Sequence, residues 1–374
     1  MIKKNILIIS NSKFISGAEL SLLEYILASS NKCLKYFVAT SNVDEKFYHL
    51  DNITTIKIPF IWFRNSFNPL ILIKIVFNIG FCCWKLNKII KEYNIDIIYS
   101  NSIKAHIYGS ILKFITTKKT VWHVRDNING GLLSKWLIKY SDKMICISDH
   151  IYQQVKVPEV KRILLYGGID VAKWNIQNTN NNIRKSIGVP SDTFLVAQIG
   201  QLTGWKNYSD FIKANAIILK HINTVHFLIV GDDLSGNELK YKKQLMIEMS
   251  NLKLEDHIHF MGFQEDIANV YAQIDILIHP ALDEPFGRVI IEAMAMTKPV
   301  LAYKCGGPQE IIVDGKTGYL VEPYDYHGLA EKTLFLINQK DLRMQFGTDG
   351  RRRVIERFNI ERYVTELENV LTNV

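Results

Sequence analysis

Two glutamates and a glycine-bearing turn stand out in residues 278–302, IHPALDEPFGRVIIEAMAMTKPVLA. Seven residues separate Glu284, in a predicted loop, from Glu292, in the predicted helix that follows. The backbone N–H groups expected to open that helix belong to Phe286, Gly287 and Arg288. Unpaired donors at the positive end of a helix dipole suit sugar oxygens and phosphates, and a carboxylate can accept from both hydroxyls of a vicinal diol. The segment therefore has the groups that a nucleotide sugar would require.

A lysine follows another apolar run in IGQLTGWKN, residues 199–207. The run predicts a strand that ends at Gly200, with Gln201 and Lys206 in the loop before the next helix. By itself this is an ordinary strand-to-helix turn. The lysine of such a turn is a surface residue in about half of the cases.

Two residues of the N-terminal half occupy similar places. His123, in VWHVRDN, lies at the end of an apolar run that predicts a strand. A lone histidine in that place is more often structural than catalytic. Gly17, in NSKFISGAELSLLEYI, lies between a predicted strand and a predicted helix, where backbone N–H groups can face an anion.

The elements that must position these residues follow one pattern along the whole chain. Seven short apolar runs in the first half and six in the second alternate with longer helical segments, which favours an α/β fold with two doubly wound parallel sheets. The Asn-rich stretch 175–182 indicates a linker. We predict domains at residues 1–170 and 171–350, and a C-terminal helix at 351–374 that packs back toward the first domain. Ligands of such sheets bind beyond the carboxyl ends of the strands, where these motifs fall.

Residues 284–295, EPFGRVIIEAMA, resemble the Glu-x7-Glu signature of retaining glycosyltransferases of family 4, the glycosyl transferases group 1. The resemblance extends from the N-terminal loop to the C-terminal helix. It implies a GT-B fold, in which two Rossmann-like domains face a central cleft. The first domain would bind the acceptor and the second the nucleotide sugar.

The resemblance also implies roles for individual residues. Glu284 would contact the donor sugar, Glu292 the ribose and Lys206 the diphosphate. HFMGFQEDI, residues 259–267, resembles the segment whose backbone, near Phe263, reads the nucleobase. KCGGPQEIIVDGKTGYLVEP, residues 304–323, resembles the GGxxE element beside the pyrophosphate. His123 matches a histidine that lines the reaction centre.

Two positions depart from the family pattern. Gln201 stands where members often have an arginine, which leaves Lys206 as the main cation for the diphosphate. Ser16 replaces the first of two glycines in the N-terminal loop. Neither departure affects the pair Glu284 and Glu292.

The function implied is transfer of a hexose, with retention of anomeric configuration, from a UDP-sugar or, next in order, a GDP-sugar. The acceptor would be a hydroxyl of a glycan or lipid-linked molecule in bacterial surface polysaccharide or glycolipid synthesis. We expect no cofactor and no metal ion, since Lys206 and helix-start amides can stabilise the leaving diphosphate. A nucleotide-sugar epimerase on a similar fold and a non-catalytic sugar-nucleotide-binding component are the alternatives.

Composition restricts the class and the location of the protein. Residues 1–176 contain 24 Lys and Arg against 12 Asp and Glu, whereas the remaining residues contain 21 against 25. No nucleic-acid-binding module is recognisable, so an anionic membrane surface is the favoured partner of the basic half. The five cysteines show neither a disulfide framework nor zinc spacing, and we expect a cytoplasmic protein, peripheral at the inner face of the cell membrane.

One apolar segment has two interpretations. Residues 69–93, PLILIKIVFNIGFCCWKLNKIIKEY, contain apolar runs that are shorter than a bilayer span requires. The simpler interpretation is a buried helix of the first domain. The alternative is insertion into a membrane interface by residues 59–91, helped by Trp62, Phe63, Arg64, Lys74, Trp84, Lys85 and Lys88.

Overall fold

A computed structural model describes residues 3–12, 17–30, 33–41, 53–61, 68–128, 130–175, 183–233 and 239–374. The chain divides into two units, one formed by residues 1–168 with 360–374 and the other by residues 169–359. Of the predicted linker 175–182, only Asn175 is among the described residues, and Trp62, Phe63 and Arg64 lie outside them.

The first unit contains a seven-stranded parallel sheet with helices on both faces. Its strands are β1 Lys4–Ser10, β2 Leu34–Thr40, β3 Ile53–Lys57, β4 Ile97–Ser100, β5 Lys119–Val124, β6 Lys143–Cys146 and β7 Arg162–Leu164, in the spatial order β3-β2-β1-β4-β5-β6-β7. Its helices are α1 Gly17–Ala28, α2 Pro69–Glu92, α3 Ile103–Thr116, α4 Leu132–Lys139, α5 Asp149–Gln154 and the C-terminal α14 Ile360–Asn373.

The second unit contains a six-stranded parallel sheet. Its strands are β8 Phe194–Ile199, β9 Val225–Val230, β10 Ile258–Gly262, β11 Ile276–His279, β12 Val300–Tyr303 and β13 Gly318–Val321, in the spatial order β10-β9-β8-β11-β12-β13. Its helices are α6 Ile183–Ser186, α7 Tyr208–Leu219, α8 Leu239–Asn251, α9 Ile267–Gln273, α10 Arg288–Ala295, α11 Pro308–Ile311, α12 Tyr326–Asn338 and α13 Lys340–Arg357. The predicted α/β class with two doubly wound parallel sheets is thereby confirmed.

The uninterrupted apolar runs arise because helices cover both faces of each sheet. In β1, Ile6 and Ile8 pack into a core with α1 and α14, whereas Leu7 and Ile9 point to the opposite face and pack with α2 and α3. Alternate side chains of one strand are therefore buried in two different cores. This explains why the strands lack the polar alternation of a half-exposed sheet.

The C-terminal residues 351–374 comprise the end of α13 and the whole of α14. Helix α13 belongs to the second unit and α14 to the first. The Tyr363 ring of α14 lies 6.0 Å from the ring of Tyr25, and Lys4 Nζ donates to the carbonyl of Thr372 at 2.7 Å. The last helix is thus part of the core of the first unit.

Three histidines lie together where β9 and β10 pair. His226 Nδ1 and His259 Nε2 are 2.9 Å apart, and the His226 and His257 ring centroids are 4.8 Å apart. Burial, together with the charges that His257 and His259 can carry, lowers the pKa of His226 to about 4. The folded second unit therefore disfavours protonation of this imidazole.

Acidification should destabilise the second unit through His226. In the unfolded chain this residue titrates near its ordinary pKa of 6.5, so between pH 6.5 and about 4 the unfolded state binds a proton that the folded state excludes. The stabilisation is complete above pH 6.5 and is lost as the pH falls toward about 4. Urea unfolding should show a smaller difference between pH 7 and pH 5 for His226→Gln than for the unmodified chain.

His221, an exposed histidine in the turn after α7, supplies the matched control. His221→Gln removes an imidazole without touching the three-histidine cluster and should leave the pH dependence unchanged. An equal pH dependence of stability in His226→Gln and the unmodified chain would contradict the assignment.

Candidate active site

The order of the strands in the second sheet brings two loops of distant sequence together. β8 lies between β9 and β11, so the chain leaves the ends of β8 and β11 in opposite directions and opens a crevice there. The first loop carries Lys206 and the second carries Glu284. The backbone N–H of Leu282 donates to the carbonyl of Trp205 at 3.0 Å and joins the two loops.

Lys206 and Glu284 form a buried ion pair in this crevice. The ammonium Nζ contacts the carboxylate Oε2, and the two residues are 8% and 7% exposed. Gln198 Nε2 donates to the carbonyl of Lys206 at 2.7 Å, and the Lys206 ammonium lies 4.1 Å from the centroid of the Trp205 ring. The surface-lysine interpretation is therefore wrong, because the structure holds this cation inside the unit.

His279 is a third member of the cluster. It is the last residue of β11, it is fully buried, and its Nε2 lies 3.0 Å from the same Glu284 oxygen. Burial and the neighbouring Lys206 charge lower the pKa of His279, so the ring is neutral and donates a hydrogen bond from Nε2. The Nδ1 atom has no hydrogen-bond partner among the described residues.

Lys206 and His279 together change the pKa of Glu284. Burial alone would raise the pKa of this carboxyl, but the Lys206 charge and the hydrogen bond from His279 outweigh burial and hold the pKa far below its usual range. Glu284 is therefore ionised throughout the physiological pH range. The crevice contains a fixed negative charge and a fixed positive charge in contact.

Two glycines allow a third loop to pack closely against Glu284. A Cβ on Gly306 would lie 2.3 Å from the Glu284 carbonyl oxygen, and a Cβ on Gly307 would lie 2.1 Å from the Phe286 carbonyl oxygen. The Gly307 N–H donates to the Glu284 carbonyl at 2.9 Å. The pair thus explains the GGxxE pattern physically, since a larger residue would push the Glu284 loop away from β12.

Glu292 is held one turn inside α10. Arg288 Nε donates to one carboxylate oxygen at 2.7 Å, and the Tyr271 hydroxyl donates to the other at 3.0 Å. Burial, followed by the Glu292 charge, raises the pKa of Tyr271 well above its usual value, which keeps the hydroxyl protonated as a donor. A ribose diol at Glu292 would have to share the carboxylate with these two donors.

The other predicted donor-binding residues occupy distinct surroundings. The Phe286 ring is buried against Phe358, with ring centroids 6.0 Å apart, so its side chain supports the loop. Gly287 caps α10 with a φ of 110°, a conformation that favours glycine. Gln201 is half-buried directly after Gly200, and Phe263 follows β10 with its side chain exposed.

In the first unit, His123 lies at the end of β5 and is fully buried. Its Nδ1 is hydrogen-bonded to the Tyr99 hydroxyl at 2.5 Å, and burial followed by the nearby Arg125 charge lowers its pKa well below the usual value. Its Nε2 has no partner among the described residues. Gly17 is the exposed first residue of α1. That either residue serves the reaction stays a prediction.

Sequence reasoning missed His279, Tyr271 and Trp205. His279 had the same signal as His123, a histidine at a strand end, but only the fold shows that it reaches Glu284. Tyr271 lies within α9 and resembles an ordinary core aromatic. Trp205 directly precedes the predicted lysine, and a ring that lies beside a cation is recognisable only from coordinates.

Comparison with known proteins identifies the class to which this site belongs. Residues 179–353, nearly all of the second unit, match the family model described as "Glycosyl transferases group 1". The second unit therefore carries the glycosyl transferases group 1 domain, and the predicted resemblance of the chain to GT-B glycosyltransferases of this group is confirmed.

Individual proteins support the same class. The chain is 27% identical over 307 residues to N-acetyl-alpha-D-glucosaminyl L-malate synthase of Bacillus anthracis, covering 78% of each chain. It is 26% identical over 294 residues to the capsular polysaccharide biosynthesis glycosyltransferase CapM of Staphylococcus aureus, covering 73% of this chain and 76% of CapM. The crystal structure of Anabaena HepE in complex with UDP-glucose is similar in fold, with a TM-score of 0.83, 24% identity and coverage of 99% and 100%.

Adding one methyl group at Gly307 should disturb the second unit. Gly307→Ala places a Cβ within 2.1 Å of the Phe286 carbonyl oxygen, so the backbone around Glu284 must move. We expect a loss of about 1–3 kcal/mol in the free energy of unfolding, the usual range for overpacking. Urea denaturation would measure it. Gly130→Ala, at a position with open space around the added Cβ, is the matched control and should be neutral. Equal stability of the two variants would contradict the close approach.

Proposed function

We propose that the chain transfers a hexose from a nucleoside diphosphate sugar to a hydroxyl of a glycan or lipid-linked acceptor, with retention of anomeric configuration. UDP-sugars are the first choice of donor and GDP-sugars the second. The observation that carries the proposal is the buried cluster of Lys206, Glu284 and His279 at the point where the strand order reverses. The UDP-glucose complex of HepE and the capsular role in the name of CapM support the donor and the bacterial polysaccharide context.

The proposed donor site places opposite charges at opposite ends of the bond that breaks. The Lys206 ammonium would bind the diphosphate, on which negative charge develops as the bond between the sugar C1 and the phosphate oxygen breaks. Ionised Glu284 would accept hydrogen bonds from sugar hydroxyls. The donor diphosphate would therefore compete with Glu284 for Lys206. Hydrogen bonds from the sugar hydroxyls to Glu284 would compensate in part for the weakened contact with Lys206.

Retention requires that the acceptor oxygen arrives on the face that the diphosphate leaves. We propose front-side displacement, in which the leaving phosphate oxygen takes the proton of the acceptor hydroxyl as the new bond to C1 forms. This step requires no nucleophile from the protein. His123, neutral in the structure, is proposed to orient donor or acceptor.

Replacement of Lys206 should lower the turnover number. Lys206→Met should lower kcat by roughly two to three orders of magnitude, the scale for losing one preorganised charge stabiliser. Lys206→Arg, which retains the positive charge, is the matched control and should recover part of the rate. The measurement is release of nucleoside diphosphate and glycosylated product by mass spectrometry, with a panel of UDP-, GDP-, ADP- and dTDP-sugars.

Stability must be followed beside turnover, because Lys206→Met leaves Glu284 buried without its cation. Breaking a buried pair in this way costs about 3–5 kcal/mol. Thermal unfolding of each variant separates this effect from catalysis. Near-normal turnover of folded Lys206→Met at saturating donor would mean that another group binds the diphosphate.

The proposed reaction needs no metal ion, since Lys206 and the N–H groups that open α10 supply the charge compensation. Turnover should therefore persist in excess EDTA. Product should be assayed directly by chromatography, so that no metal-dependent coupling enzyme enters the measurement. Abolition of turnover by EDTA with rescue by magnesium or manganese would contradict the proposal.

A further inference from the structure

The first half of α2 is apolar, and most of its side chains are exposed within the part of the chain that the structure describes. From Pro69 to Lys74 every side chain is exposed, which covers all sides of the helix for more than one turn. Leu70 is 68% exposed, Val76 68% and Phe77 75%, and the exposed apolar residues continue to Phe81 and Trp84. Contiguous apolar surface of this kind marks a site of interaction.

This exposed segment is a well-defined part of the first unit. Asn68 caps the helix, and its side chain accepts a hydrogen bond from the Leu70 N–H at 3.0 Å. The second half of α2 is anchored in the core by five buried residues, namely Cys82, Cys83, Leu86, Ile89 and Ile90. The interpretation of the whole segment as a buried core helix is thus wrong for its first half.

The length of the exposed segment limits what it can do in a lipid bilayer. The 24-residue helix is long and apolar enough to cross a membrane, and an 18-residue window of it has a mean hydropathy of 1.7. Its second half is committed to the protein core, which leaves residues 69–81 for insertion. At 1.5 Å per residue these reach about 20 Å, whereas the hydrocarbon core is about 30 Å thick. Insertion into one leaflet is therefore possible and spanning is not.

Positive charge lies where the apolar surface meets the rest of the unit. The Lys88 ammonium lies 3.9 Å from the Trp84 ring centroid, and the Lys85 ammonium lies 4.9 Å from the Phe81 ring centroid. Lysines beside tryptophan are suited to the boundary between acyl chains and head groups. Helix α2 carries four lysines and one glutamate, and the half of the chain to which it belongs is basic.

We propose that α2 is the membrane-docking element of this protein. The segment Pro69–Phe81 inserts into one leaflet of an anionic bilayer, and Trp84, Lys85 and Lys88 lie at the level of its phosphate head groups. This proposal deepens the proposed function, because it identifies the surface that would contact the membrane. It rests on the proposed function only in one respect, the use of a lipid-linked acceptor. Lipid binding is measured without glycosyl transfer, so failure of one proposal is distinguishable from failure of the other.

The first experiment removes the apolar contact. Full-length protein is co-sedimented with vesicles of phosphatidylglycerol and phosphatidylcholine in equal parts, at low salt. Val76→Asp/Phe77→Asp should lower the partition coefficient by at least about tenfold, since burial of one large apolar side chain is worth about that factor. Met246→Asp/Ile247→Asp, at an adjacent exposed pair on α8, is the matched control and should bind as the unmodified chain does.

The second experiment removes the charge. Lys85→Gln/Lys88→Gln should weaken binding about fivefold per lysine and reduce its dependence on salt. Vesicles of pure phosphatidylcholine should bind the unmodified chain more weakly than the anionic vesicles. Brominated lipids should quench tryptophan fluorescence less in Trp84→Phe than in the unmodified chain.

Three results would overturn the proposal. One is no binding of the unmodified chain to anionic vesicles at low salt. Another is equal binding by Val76→Asp/Phe77→Asp, with circular dichroism showing that this variant is folded. The third is light scattering that detects a dimer which Phe77→Asp converts to a monomer, because α2 would then be an interface between two copies of the chain.

Discussion

The contact between Lys206 and Glu284 is the interaction around which the loops of the candidate site are arranged. Removing two charges from water costs several kcal/mol per ion, and their attraction offsets this only when the geometry is good and further hydrogen bonds are made. The adjacency of β8 and β11, the donor from His279 and the glycines at 306 and 307 all serve that requirement. A well-packed apolar pair of similar volume would stabilise the fold at least equally. The presence of two charges at this place is therefore better explained by the binding of a ligand.

Preorganisation follows from how closely the loops are joined. The Glu284 loop is bonded to the β8 loop through Leu282 and to the β12 loop through Gly307. Because Glu284 remains ionised, its attraction for Lys206 does not vary over the physiological pH range. A donor that binds as proposed would therefore meet charges that are already oriented, and little reorganisation would be left for the moment of reaction.

Most of the fold was predictable, because strands buried on both faces are continuous apolar runs and each of the thirteen predicted runs contains a strand. Lys206 and Glu284 were also predicted, since charged residues after such runs are conspicuous, and Glu292 was predicted from its spacing to Glu284. The contacts between these residues were not predictable. Lys206 meets Glu284 because of the strand order, which no local sequence pattern encodes. His279 and Tyr271 were missed for the same reason. Helix α2 combines a core half and an exposed half, which apolar composition alone cannot distinguish.

The two proposed interactions with anions would differ in their physical basis. The exposed lysines of α2 would act through water, where salt screens charges beyond about 10 Å at 0.1 M ionic strength. Lys206 is buried, so its field on a diphosphate is screened far less. The residues after 176 carry more acidic than basic side chains, so they offer no long-range attraction for a nucleotide sugar. Donor recognition as proposed would then depend on the crevice itself, whereas the proposed attraction to an anionic surface would depend on the basic first half.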